Sequence, residues 1–80
     1  MDRDAVRARA AELVRPGITR RVALVLAYAE AEGDPLDPYD FDEAAVILRA
    51  ERLLLDAVDL AEAVATARRE GVRFARQTES

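Results

Sequence analysis

Eighty residues make one domain at most, and a chain this short buries a smaller fraction of its surface than a large one, so its stability margin is narrow. With no Cys and no His, disulfides and the common metal-ligand sets are excluded, which leaves oligomerisation as the usual reinforcement for a small fold. The net charge of −4 is unevenly spread: residues 1–29 hold six Arg against three acids, residues 30–62 hold eleven acids against Arg49 and Arg52, and residues 63–80 hold four Arg against two Glu.

All twelve basic residues are Arg, which with abundant Ala, Val, Leu and Asp points to a GC-rich genome. Met1-Asp2-Arg3-Asp4 is charged and leads into no apolar segment, so it does not read as a signal peptide. The longest apolar run, Val22 to Ala29, falls far short of the roughly 20 residues that cross a bilayer. The expectation is a cytoplasmic protein that does not enter a membrane.

In chain order, residues 4–15 place Val6, Ala10, Leu13 and Val14 at helical spacing, with Asp2 and Asp4 at the end where acids suit the helix dipole. Pro16-Gly17 then breaks the helix or kinks it sharply. Thr19 suits the cap of a second helix over about 20–32, with Gly33 as its stop. Its VALVLAYA stretch is apolar on every side, the pattern of a helix surrounded by neighbours. One partner helix leaves a side open, either Val22, Val25, Leu26 and Ala29 or Leu24, Tyr28 and Ala31. That open side is covered by the first helix folding across, or by a second molecule.

Residues 33–40, GDPLDPYD, contain two Asp-Pro steps and form the one clear loop. Asp40 followed by Glu43 opens a third helix that the pattern carries over 41–70, roughly 45 Å, to Gly71. Residues 72–76 read as a loose turn that tucks Phe74 onto the bundle, and 77–80 as a frayed tail. No alternating strand pattern or hairpin dipeptide occurs, so the fold class is all-α. Two arrangements fit. In one, the short helices run nearly end to end against the long helix, as a kinked hairpin. In the other, a three-helix bundle, the first helix folds back at Pro16-Gly17 and the long one breaks near Asp59. Either arrangement is suited to pairing into a dimeric bundle.

On the long helix, Val46, Ala50, Leu53, Leu54, Ala57, Val58, Leu60, Ala61, Val64 and Ala65 share one broad core face. Leu48 and Leu55 fall on the opposite side in line with Phe41, either as ordinary scattered exposure or as a contact seam. With Leu24 and Tyr28 they make up the candidate partner interface. Asp34, Asp37, Asp40, Asp42 and Glu43 gather with Glu30 and Glu32 as an acidic patch at one pole. Arg68, Arg69, Arg73 and Arg76 are expected as a basic patch at the opposite pole.

Chemistry is sparse. Ser80 is the only serine, so no Ser-His or Cys-His nucleophile can be assembled, and Gly17, Gly33 and Gly71 form no phosphate-binding loop. The acidic loop fails the calcium-loop spacing, because counting from Asp34 its third and fifth positions are Leu36 and Pro38. No cofactor, metal or catalytic residue is expected. Helix, Pro-Gly turn and helix with Thr19, Arg20 and Arg21 have the outline of a helix-turn-helix, but residues 22–31 offer only Glu30 as a polar reading group and the net charge opposes phosphate.

The leading expectation is a non-catalytic helical protein–protein interaction or assembly module, an adaptor, inhibitor or small structural component that binds itself and another protein. The alternative is a small nucleic-acid-associated or antitoxin-like regulator using the arginine pole. A compact charged accessory protein of a bacterium or phage fits this profile.

Overall fold

The computed structural model describes the backbone of residues 2–79 and the side chains of residues 2–70. Four helices follow one another: α1 (Arg3–Leu13), α2 (Arg20–Ala31), α3 (Phe41–Leu55) and α4 (Leu60–Glu79), with no strand among the described residues. Among the described residues, no helix is long and apolar enough to cross a membrane.

Each boundary has a local cause. The Asp2 carboxylate accepts the Asp4 N–H and starts α1. Pro16 and Gly17, the latter at φ +91°, sit at the centre of a tight turn closed by the Ile18 N–H donating to the Arg15 carbonyl at 2.8 Å, the residue pattern of a type II turn. Thr19 then caps α2 by accepting the Val22 N–H. At the other end of α2, Gly33 (φ +83°) adopts the left-handed conformation, with Gly33 N–H donating to Glu30 and Asp34 N–H to Ala29, the paired bonds of a Schellman stop. Asp40 caps α3 by accepting from both Asp42 and Glu43 N–H. The expected reciprocal bond from Glu43 is replaced, since the Asp40 N–H donates to the Asp37 carbonyl.

The single helix expected over 41–70 is two helices, which corrects the unbroken long helix and the count of three; the break falls near Asp59, where the alternative bundle expects it. A rod of roughly 45 Å would also exceed the longest dimension of the molecule, 40 Å. Val58 N–H donates to Leu53 and Ala57 N–H to Leu54, both at 3.0 Å, and Ala57 sits at φ +64°. This is a second Schellman stop with alanine where glycine is usual, so the break carried no glycine signal. Asp59 immediately restarts the chain, its carboxylate accepting the Ala61 N–H and its carbonyl the Ala63 N–H. At its far end α4 passes through Gly71, the expected stop, and the segment expected as a frayed tail is helical to Glu79. Phe74, expected to tuck onto the bundle, has a side chain outside the described residues.

The break also resets the helical phase. Ala63, Val64 and Ala67 are buried, whereas Ala57, Ala61 and Ala65, expected in the core by extending the α3 face, are exposed. α1 and α2 pack as one hairpin and α3 and α4 as another. α2 is the shared wall. Its Val25, Leu26 and Ala29 meet Val46, Ile47 and Ala50 of α3 and Val64 and Ala67 of α4. Its Ala23 and Ala27 meet Val6 and Ala10 of α1. The uniformly apolar second helix is therefore surrounded within one chain, by α1 folding back at Pro16-Gly17. The end-to-end placement of the two short helices does not occur.

Candidate interaction surface

α3 directs Val46, Ile47 and Ala50 into the core. At 100° per residue, Phe41, Leu48 and Leu55 fall on one line about 160° from the centre of that face. The consequence is direct exposure: Phe41 is 66% accessible, Leu48 62% and Leu55 53%. They span about 21 Å of helix. Between them lie only the half-buried Ala44, Ala45 and Glu51 and the exposed Arg52. Tyr39, just before the helix, is 88% accessible. Of the five large exposed hydrophobics among the described residues, four thus belong to α3 or its lead-in, and the fifth is Val14. Tyr39 was not anticipated, because a loop residue has no helical face from which its direction can be read.

Leu24 and Tyr28, the other expected contact residues, sit elsewhere and are half-buried. They line a cleft of about 360 Å³ with Arg3, Val6, Arg7, Asp59, Leu60 and Ala61, where the start of α4 approaches α1 and α2. They are thus largely covered by their own chain. Burial raises the Tyr28 phenol pKa above its usual value, and the carboxylates of Glu32 and Asp59 push in the same direction. Arg3 meets Asp59 at 3.7 Å across the mouth of this cleft, an exposed pair of small energetic weight.

Several members of the expected acidic patch have structural partners. Asp37 accepts the Tyr39 N–H, Asp40 caps α3, and Asp34 pairs with Arg68 at 3.0 Å. No group of three or more potential ligand residues is arranged to hold a metal among the described residues. Arg9 bridges Glu30 and Glu12, and these hydrogen bonds, Glu30 first, raise the guanidinium pKa.

Arg68, expected at a pole opposite these acids, lies beside them instead. The turn at 56–59 sends α4 back along α3, so Arg49 reaches Glu70 at 3.0 Å and Arg68 reaches the Asp34 loop. Arg68 therefore lies beside the acidic loop and pairs with its Asp34. Arg69 donates to Thr66 on its own helix. The side chains of Arg73 and Arg76 lie outside the described residues. No protein-family model matches the sequence, and no curated protein or solved structure is significantly similar to it.

Proposed function

We propose that this protein is a non-catalytic helical interaction module that associates with itself through the outward face of α3, and in that form serves as an adaptor, inhibitor or small structural component for a larger partner. The observation that carries the reading is the alignment of Phe41, Leu48 and Leu55, more than half exposed, with Tyr39 beside them, where Val14 is the only other large exposed hydrophobic among the described residues. A row of large apolar side chains opposite the core contributes nothing to the fold of one copy and gains only by being covered.

A nucleic-acid-binding role draws less support, because Arg49 and Arg68 are engaged by carboxylates and the acidic loop lies beside Arg68. The test is sedimentation of the wild-type chain and of Leu48→Asp over a concentration series. A seam of this size belongs to the small interfaces, below roughly 1,200 Å² in total, so association is expected from micromolar concentrations upward, with loss in the variant. A wild-type chain that stays monomeric at millimolar concentration rejects the reading.

A further inference from the structure

We infer that the two copies pair through α3 in antiparallel orientation, with Leu48 on the twofold axis; this rests on the self-association proposed above. Phe41 and Leu55 stand seven residues to either side of Leu48, so antiparallel pairing sets each Phe41 against the other copy's Leu55. It also brings Tyr39 and Ala57, each nine residues from Leu48, to the same level. Ala57 is exposed, and its small side chain at the α3–α4 turn leaves room for an aromatic ring. Tyr39, the most exposed large hydrophobic among the described residues, then lies over the small Ala57, whereas parallel pairing sets the two Tyr39 rings against each other at one end.

Charge favours the same orientation. The start of α3 carries Asp40, Asp42 and Glu43, whereas its second half carries Arg49, Glu51, Arg52 and Asp56, which balance. Parallel pairing stacks both acidic starts at one end and aligns the two helix dipoles. Antiparallel pairing sets each acidic start against a neutral half that contains Arg52, and opposes the dipoles. Arg52 is 68% exposed with only a 4.0 Å contact to Asp56, so it is free to turn towards the facing helix.

The absence of native cysteine makes the geometry directly testable. Single variants Leu48→Cys, Phe41→Cys and Leu55→Cys, all at exposed positions, are checked for native helicity by circular dichroism and oxidised above the association range. Leu48→Cys is expected to cross-link with itself. Phe41→Cys and Leu55→Cys are expected to link only when mixed with each other. Self-linking of Phe41→Cys is expected to be at least about tenfold weaker, because about 21 Å along the helix separates the two copies, far beyond the ~4.4–6.8 Å Cα separation of a disulfide. Self-linking of all three variants would mean parallel pairing, which overturns this inference and keeps the self-association. A wild-type dimer with no cross-link in any variant places the seam on another face and overturns the inference. A monomeric wild-type chain removes the self-association as well.

Discussion

Arg68 holds Asp34 at two points, its Nη1 donating to the carboxylate Oδ2 at 3.0 Å and its Nη2 to the main-chain carbonyl at 2.8 Å. It is the least exposed arginine among the ion pairs, at 28%, and it ties α4 to the loop that follows the α2 stop. Because one of the two acceptors is backbone, the partners are not equivalent. Arg68→Ala is expected to cost about 1–2 kcal/mol and Asp34→Ala less than about half of that, since the charged donor keeps its carbonyl. Thermal unfolding measures both, with roughly 4–8 °C expected per kcal/mol in a domain of this size. Equal losses would show that the carbonyl contact contributes little.

Much of the fold is legible in the sequence because its signals are local. Pro16-Gly17, Thr19, Gly33 and Asp40 each act within a few residues of themselves, and each bounds an element where the pattern places it. The break at 56–59 enters the sequence reading only through the alternative bundle, near Asp59, since alanine in the left-handed conformation leaves no trace in composition. The one available signal was Asp59 followed by Glu62, the same spacing as Asp40 and Glu43. Carrying the α3 face across that break misplaces the α4 core face and the position of Arg68 relative to the acids. The α3 stripe survives because Phe41, Leu48 and Leu55 all precede the break. Leu24 and Tyr28 show the opposite limit: an apolar helix reveals that it is surrounded, not by what.

Ala57 at φ +64° carries the strain that glycine would relieve. An L-residue in this conformation costs roughly 1–2 kcal/mol, partly offset in Ala57→Gly by the greater freedom of glycine in the unfolded chain. The substitution is expected to stabilise the protein by about 0.5–1 kcal/mol, read as a raised urea midpoint with unchanged slope. Ala57→Val, β-branched at the same position, is expected to destabilise it. A neutral glycine variant would mean that the turn relaxes in solution away from the left-handed geometry.

Tyr28 gives the stability a dependence on alkaline pH. Its folded-state pKa is raised, by burial first and then by Glu32 and Asp59, above the value of about 10 for an unfolded tyrosine. The folded protein therefore holds the phenol proton longer than the unfolded chain does. The associated stability is present below pH ~10 and is lost as pH rises through the folded value. Denaturant melts of wild type and Tyr28→Phe at pH about 8 and about 11 should show a smaller alkaline loss in the variant. Parallel losses would mean that the half-buried ring is not desolvated enough to matter.

Thr19 joins two hairpins through one oxygen, accepting the Val22 N–H at 3.2 Å while donating its own proton to Glu51 Oε2 at 2.7 Å. Aspartate normally caps a helix at least as well as threonine, but here it would bring a second carboxylate against Glu51 and supply no proton to share. Thr19→Ser, which keeps both bonds, should be within about 0.5 kcal/mol of wild type, and Thr19→Ala should lose about 1 kcal/mol. Thr19→Asp should be destabilised at neutral pH despite its capping ability, and Glu51→Gln in the same chain should restore it by replacing repulsion with an amide donor. That reversal separates the two roles of the hydroxyl, because a residue that only capped α2 would tolerate aspartate with Glu51 in place.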